Sequence, residues 1–142
     1  MNPGLLLLLV AVVVAVGFGL YRRRTDGAFA VAAAAPSAWS SVAASLPDAE
    51  LGERATLLQF SSAFCAPCRT TRVVLADVAD RFEGVAHLEV DAEQHLDLVR
   101  ALDVRRTPTT LVLDRDGHEL TRAAGAPRRE QVLAALPALL GS

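Results

Sequence analysis

The 142-residue sequence has only two cysteines, Cys65 and Cys68, and it lacks lysine and isoleucine entirely. Structural zinc sites use four protein ligands and iron–sulfur clusters usually use four thiolates, so two cysteines alone satisfy neither. The histidines that would have to supply the remaining ligands show no close paired spacing: they are His87, His95 and His118. We therefore predict that the cysteine pair holds no metal ion.

Two other uses of a Cys-x-x-Cys pair compete with redox chemistry. Covalent haem attachment requires a histidine directly after the second cysteine, and Arg69 occupies that position, which excludes it. The other use is structural, with both cysteines packed as small buried hydrophobic residues, as is common for cysteine. This alternative stays open, although it does not explain Pro67 or the position of the pair between a strand and a helix.

The position of the pair favours redox chemistry. A strand-like run at residues 55–61 ends just before it, and a long amphipathic stretch begins at Pro67. A cysteine at the N-terminal end of a helix lies beside unpaired N–H groups and the positive end of the helix dipole, which stabilise its thiolate. We therefore predict that Cys65 is the nucleophile. Cys68 follows one helical turn later, within reach of the first sulfur.

Residues 1–24 are predicted to form a transmembrane anchor in the lipid bilayer. No charge occurs from Gly4 to Tyr21, and about 18 helical residues span about 27 Å, close to the thickness of a bilayer core. The arginines at 22–24 then end the apolar run. A signal peptide has its positive charges before the apolar run and a small-residue cleavage site just after it. Because the order here is the reverse, we predict an uncleaved, single-pass helix.

The rest of the chain divides into two parts. Residues 25–45 are rich in Ala, Ser, Gly and Pro without sustained periodicity, which predicts a flexible linker whose Trp39 lies either at the lipid interface or on the next domain. Residues 46–142 have the composition of a globular domain. Beyond residue 24 there are 11 arginines against 16 acidic residues, and this balance argues against nucleic-acid binding. The absence of lysine and isoleucine suggests the codon usage of a GC-rich bacterium.

Strand and helix patterns alternate in residues 46–142. Strands are predicted at 55–61, 85–90, 109–113 and 118–123, and helices at 67–82, 93–102 and 128–140. The turn at 114–117 indicates a hairpin between the last two strands. The order β-α-β-α-β-β-α predicts an α/β domain with a mixed central sheet and helices on both faces.

From about residue 46 onward the chain resembles the thioredoxin family. The resemblance rests on the stretch Phe64-Cys65-Ala66-Pro67-Cys68-Arg69 after a strand, on Thr107-Pro108 about 40 residues later, and on Gly125 before the last helix.

The resemblance implies a thioredoxin-like fold in which Cys65 and Cys68 form a reversible disulfide and no other cofactor is needed. It also implies a cis Thr107-Pro108 bond, with the Thr107 backbone as the edge on which clients dock. The residues implied to bind substrate are Phe64, Ala66, Pro67, Thr107 and Pro108.

The chain departs from the family pattern at its proton-handling positions. Reducing thioredoxins have a buried acid six residues before the first cysteine, where this chain has Gln59. The family's partner lysine on the next strand corresponds to His87. We name both as candidates for proton transfer, because histidine has an unperturbed pKa of about 6.5. The alternative for His87, which the sequence favours, is a solvent-facing strand residue.

These features predict a membrane-tethered protein-disulfide reductase that contributes to cell redox homeostasis. Its partners would be client proteins with disulfides and, as the resemblance implies, a thioredoxin reductase-type electron donor. Arginines beside a transmembrane end stay predominantly in the cytoplasm, so the domain is predicted to face the cytoplasm from the cytoplasmic membrane. The alternatives are an extracytoplasmic protein for cytochrome c maturation or disulfide exchange, and a tethered module that binds clients without catalysis.

Overall fold

The structure is a computed structural model that describes residues 2–31 and 37–136. Within these described residues, five strands form one mixed sheet in the order β1-β5-β4-β2-β3, in which only the β2–β3 pair is parallel. Helices cover both faces, as the sequence predicts. The elements are α1 Pro3–Thr25, β1 Phe29–Val31, α2 Ala38–Ser45, β2 Ala55–Ser61, α3 Ala66–Arg81, β3 Val85–Asp91, α4 Leu96–Ala101, β4 Thr109–Asp114, β5 Glu119–Ala124 and α5 Arg129–Ala135.

Strand β2 is an interior strand of the sheet, and all seven of its residues are buried. It pairs with β3 on one side and β4 on the other. Side chains alternate between the two faces of a strand, so β2 contributes to two separate cores. Because β2 ends at Ser61 and α3 begins at Ala66, the chain crosses from the sheet to the helix in four residues, which include Cys65.

The two cores lie on opposite faces of the sheet. The first packs the sheet against α2 and α4, and its fully buried side chains include Leu58, Phe60 and Leu111. The second packs the sheet against α3 and α5 around Leu57 and Leu75. Each apolar helix stripe therefore has a matching apolar strand face, which is the layered arrangement expected of an α/β domain.

Residues 26–31 and 37–45 do not form the flexible linker predicted from their composition. Strand β1 pairs antiparallel with β5, and Phe29 lies opposite Ala123. Helix α2 buries Ala38 and Val42 in the first core. Trp39 packs against the same core and donates its backbone N–H to the carbonyl of Gly117, so it lies on the domain and not at the lipid interface.

Helix α1 is long and apolar enough to span a membrane, with a mean hydropathy of 2.7, and none of its residues is buried against the rest of the chain. Such a helix near an N-terminus also matches a signal sequence. At the other end of the chain, α5 ends at Ala135, and the predicted continuation of this helix over 137–140 lies outside the described residues.

Candidate active site

Cys65 and Cys68 form a disulfide at the N-terminal end of α3, with their Cα atoms 5.2 Å apart. Cys65 is the N-cap residue, and its Sγ accepts the backbone N–H of Cys68 at 3.2 Å. An N–H group aimed at sulfur stabilises a thiolate there once the disulfide is reduced. Pro67 lies in the first turn, where its missing N–H leaves no hydrogen bond unmade.

The two sulfurs differ in their access to solvent. Cys65 is partly exposed, whereas Cys68 is 1% exposed. Of the two sulfur-bearing residues, only Cys65 is therefore open to a group in solution. The assignment of Cys65 as the attacking residue and Cys68 as the resolving residue stays a prediction, and this difference in exposure favours it.

An apolar rim surrounds Cys65. The side chain of Phe64 is fully exposed, and Ala66 and Pro67 are exposed beside it. Single exposed apolar residues are ordinary on protein surfaces, but these three flank the reactive sulfur in sequence. The predicted substrate-binding residues Phe64, Ala66 and Pro67 therefore form an exposed apolar surface beside the disulfide.

The predicted docking segment, Thr107-Pro108, lies at the same end of the sheet's strands as the cysteine pair. The Thr107-Pro108 bond is cis, as the family resemblance implies. Because Thr109 pairs with Phe60, β4 begins beside the end of β2. The Thr107 and Ser62 hydroxyls are hydrogen-bonded at 2.9 Å, which links the docking segment to the loop that carries Cys65.

Gln59 lies beneath the cysteine pair and is completely buried. Its Nε2 donates to the Cys68 carbonyl and to the Ser61 hydroxyl, both at 2.9 Å. Its Oε1 lies 3.0 Å from Nε2 of His87. All the hydrogen-bonding groups of the amide are used, so Gln59 holds the first turn of α3 in place against the sheet.

His87 is not the solvent-facing residue that the sequence favours. It is half-buried, and burial is the main cause that lowers its pKa below the usual value. The two hydrogen bonds that the Gln59 Nε2 donates leave its Oε1 facing His87. An amide oxygen only accepts, so His87 donates to it and carries its proton on Nε2. The other ring nitrogen, Nδ1, is then the atom that takes up a proton.

A second polar pair, which the sequence analysis did not identify, lies beside His87. Arg72 donates from Nε and Nη2 to the two carboxylate oxygens of Glu89 at 2.5 and 2.8 Å. The hydrogen bond from Arg72 is the main cause that lowers the pKa of Glu89. The sequence contained one signal for this pair. Residues two apart on a strand share a face, and Val85 faces α3, so Glu89 lies on the face of β3 that is turned toward α3.

These groups open onto a polar cleft next to the disulfide loop. The cleft has a volume of about 310 Å³ and is lined by Ser61, Ser62, Ala63, Arg72, Glu89 and Asp91. Ser61 also hydrogen-bonds to Glu89. A continuous polar path therefore runs from the Cys68 carbonyl through Gln59 and Ser61 to the surface at Glu89.

One other cluster of titratable groups in the described part of the chain could hold a metal ion, formed by Asp114, Asp116 and His118 at the far hairpin. One carboxylate oxygen of Asp114 accepts the backbone N–H groups of the other two residues at 2.9 Å. This is the ordinary geometry of an aspartate that closes a turn. The cluster lies at the opposite end of the sheet from the disulfide and has no part in its chemistry.

The sequence model of the thioredoxin family matches residues 41–138. The chain belongs to the thioredoxin family. Among curated relatives, thioredoxin H2-1 of Oryza sativa subsp. japonica is 36% identical over 74 residues, which cover 52% of this chain and 53% of that protein. Thioredoxin H4-1 of the same plant is 29% identical over 93 residues, covering 64% of this chain and 70% of that protein.

The chain thus spans about half the length of the first of these relatives. Among solved structures, a mutant thioredoxin from Halobacterium salinarum NRC-1 superposes with a TM-score of 0.58 at 20% identity, over 62% of this chain and 76% of that one. Fasciola hepatica thioredoxin gives 0.55 at 23% identity, over 61% and 82%. These likenesses show the thioredoxin-like fold. The curated relatives named here are plant proteins, so the bacterial origin stays an interpretation of residue usage.

Proposed function

We propose that this protein is a membrane-tethered thiol:disulfide oxidoreductase that reduces disulfides in client proteins and so contributes to cell redox homeostasis. The observation that carries the proposal is the Cys65–Cys68 pair, which places one accessible and one buried sulfur at a helix N-terminus in a thioredoxin-family fold. A structural disulfide does not require this difference in access or the apolar rim around Cys65.

The reaction transfers two electrons and two protons from the protein dithiol to the client disulfide. In the dithiol form, the Cys65 thiolate attacks one sulfur of a client disulfide, the client S–S bond breaks, and the released client thiolate takes up a proton. Cys68 then loses its proton and attacks the Cys65 sulfur, so the mixed disulfide breaks and the second client thiolate leaves. The products are a client dithiol and the Cys65–Cys68 disulfide.

Resetting the site requires two electrons and two protons from a donor. The family resemblance suggests a thioredoxin reductase-type flavoprotein for this role. Phe64, Ala66 and Pro67 supply the apolar contact around the client sulfur in this proposal, and the Thr107 backbone supplies the edge on which the client chain lies.

Helix α1 is the proposed tether, and the arginines in its last turn favour a cytoplasmic domain. A compartment that keeps thiols reduced also suits a dithiol reductant. The competing assignment is an extracytoplasmic protein that serves cytochrome c maturation or disulfide exchange, since an apolar helix near an N-terminus also matches an export signal.

Exchange of each cysteine tests the chemistry. In insulin reduction by the full chain in detergent, Cys65→Ser should abolish activity, whereas Cys68→Ser should accumulate mixed disulfides with clients that gel electrophoresis detects without reductant. Cys68→Ser is the matched control for Cys65→Ser, because it removes one sulfur from the same site. Trapping by the Cys65 variant and not by the Cys68 variant would reverse the assignment.

Labelling of intact cells tests the orientation. After mild reduction, a membrane-impermeant maleimide should leave Cys65 unmodified until the cells are lysed. Labelling of unbroken cells would replace the cytoplasmic assignment with the extracytoplasmic one. If mass spectrometry shows that the protein recovered from cells lacks α1, the proposed membrane tether is refuted.

A further inference from the structure

The chain that follows α1 joins the sheet at the same end of the strands as the disulfide. β1 is antiparallel to β5, and its first residue, Phe29, lies opposite Ala123 near the end of β5. β4 begins at Thr109 opposite Ala124, and β2 ends at Ser61 just before the cysteine loop. The chain therefore leaves α1 and reaches the domain at the end of the sheet that carries the redox site.

A short strap, residues 26–31, fixes this connection. Asp26 directly follows α1 and pairs with Arg106 at 2.5 Å, next to the docking segment. The same Arg106 nitrogen donates to the Ala124 carbonyl, and so does the backbone N–H of Gly27, at 3.0 Å. An exposed ion pair stabilises little by itself, but here it adds to the β1–β5 ladder that follows.

Two glycines make room for the strap. Gly27 is buried with a positive φ of 73°, and a Cβ there would collide with the Ala126 carbonyl. Gly125 has a φ of 102°, and a Cβ there would collide with the Asp26 carboxylate. Gly125 also donates its N–H to the Pro108 carbonyl at 2.7 Å. The strap, the turn after β5 and the docking segment are therefore packed backbone to backbone.

The spacing of the strands gives the reach. Gly27 bonds to Ala124, and Ala124 lies opposite Thr109, so two strand spacings of about 5 Å separate the strap from the start of β4. One further spacing leads to the end of β2, which places the strand end before the cysteine loop roughly 15 Å from the strap at Gly27. The headgroup layer is about 5 to 8 Å thick on each side of a bilayer.

We propose that the strap turns the disulfide end of the domain toward the bilayer, so that its clients are cysteine-containing segments of membrane proteins lying close to the bilayer surface. This inference rests on the proposed tether and on the proposed thiol chemistry. A flexible linker of 21 residues would give a reach of roughly 25 Å in any direction. The strap removes that freedom and directs Cys65, with its exposed Phe64, to the membrane side.

A single fluorophore tests the orientation, because the chain has no cysteine outside the site. The full-length Cys68→Ser variant carries the label at Cys65. The matched control carries it at Arg115→Cys, with both native cysteines changed to Ser. Arg115 is exposed in the hairpin at the other end of β4, which is about 20 Å long. Both proteins are reconstituted into phosphatidylcholine vesicles that contain a lipid with a nitroxide on its headgroup.

We expect the nitroxide to quench the label at residue 65 several-fold more than the label at residue 115. A Gly/Ser insertion of about twelve residues between Thr25 and Asp26, with a reach of roughly 20 Å, should abolish this difference. Equal quenching at the two positions of the uninserted chain, or stronger quenching at residue 115, would overturn the orientation. This measurement does not depend on whether the protein reduces any client.

The client class is tested in the same vesicles with two disulfide substrates. One is a disulfide-bonded peptide fused a few residues from a transmembrane helix, and the other is insulin in solution. The insertion should lower the rate on the anchored peptide several-fold and leave the insulin rate unchanged. Equal rates on the anchored peptide with and without the insertion would overturn the proposed client class. Loss of both reductions in the uninserted chain would instead refute the proposed thiol chemistry.

Discussion

The two faces of the central sheet differ in what they bury. The face against α2 and α4 is mainly apolar, with Leu58, Phe60 and Leu111 at its centre. Its buried polar side chains, Thr56 and Thr109, lie at strand ends, and both hydroxyls are hydrogen-bonded. The face against α3 and α5 is apolar only at the end away from the disulfide. Toward the cysteines this second face becomes polar, and its polar residues are Gln59, Ser61, Thr71, His87, Glu89 and Thr110.

This difference separates stability from chemistry. The apolar face supplies most of the burial of apolar side chains near the first core, and such burial is the largest favourable contribution to folding. The polar face gives up part of that burial to surround the first turn of α3 with hydrogen-bonding groups. It does so incompletely, because the buried hydroxyls of Thr71 and Thr110 have no hydrogen-bond partner among the described residues.

The largest effect on stability should come from the apolar face. Phe60→Ala removes a completely buried ring from the first core, and such truncations cost about 3 to 5 kcal/mol. Urea unfolding of the full chain in detergent measures the loss. Because the Phe60 side chain points away from Gln59 and His87, the rate of insulin reduction by the fraction that stays folded should change little. A large fall in that rate would show that the two faces are coupled.

On the polar face, Gln59→Asp should raise the rate of thiol–disulfide exchange near neutral pH by about tenfold, a modest share of what a positioned acid or base contributes. Gln59 takes up no proton, whereas burial raises the pKa of a carboxyl group toward neutrality. Stopped-flow exchange with insulin gives the rate, and Gln59→Asn is the control of equal length without the acid. An unchanged or lower rate in a folded Asp variant would remove proton transfer as the limiting feature.

The sequence predicted the elements that carry their own local signal. The bounds of β2 agree with the prediction, those of α3 differ from it by one residue at each end, and β4 is longer by one residue at its C-terminal end. Each has strong periodicity and is bounded by a turn. The Cys65–Cys68 disulfide and the cis Thr107-Pro108 bond were also predicted, because short motifs with defined spacing mark them.

The strap and α2 were missed because their stability comes from distant contacts. β1 has three residues, α2 has eight, and both lie in an Ala-rich stretch with little period. Their partners lie about 80 to 90 residues further along: Asp26 pairs with Arg106, and Trp39 bonds to Gly117. Isolated helices this short are marginal in water, so only the tertiary contacts could reveal them.

The role of His87 was missed for a different reason. Strand alternation puts His87 on the face of Val85, but alternation does not say that Gln59 on the neighbouring strand lies within hydrogen-bonding distance. That contact depends on the parallel pairing of β2 with β3, in which Gln59 lies opposite Glu89. Register between strands is set by the whole sheet, so a single sequence does not provide it.

The half-buried His87 should make stability depend on pH. Burial lowers its pKa in the folded state below the unfolded value of about 6.5. Below pH 6.5 the unfolded chain therefore binds a proton first, and stability falls as pH drops through the window between the two values. Urea unfolding at pH 7.5 and pH 5.5 should show this loss in the wild type.

The comparison with His87→Gln isolates this effect from other titrating groups, including the nearby Glu89. The difference in stability between wild type and variant should become smaller, or reverse, as pH falls from 7.5 to 5.5. A difference that stays constant would mean that His87 does not titrate in this window.

The smallest effect should be a gain in stability on the polar face. Thr110 lies opposite Gln59 in the β2–β4 pair and is completely buried, yet its hydroxyl has no partner in the described structure. Valine has nearly the same shape and suits a strand. A buried polar group without a hydrogen bond costs free energy, so Thr110→Val should stabilise the domain by about 1 kcal/mol or less.

Thr109→Val is the control, because the Thr109 hydroxyl donates to the Arg106 carbonyl at 2.7 Å and its loss should destabilise. If both variants lose stability in urea unfolding, the Thr110 hydroxyl is satisfied in solution and the polar face costs less than its geometry indicates.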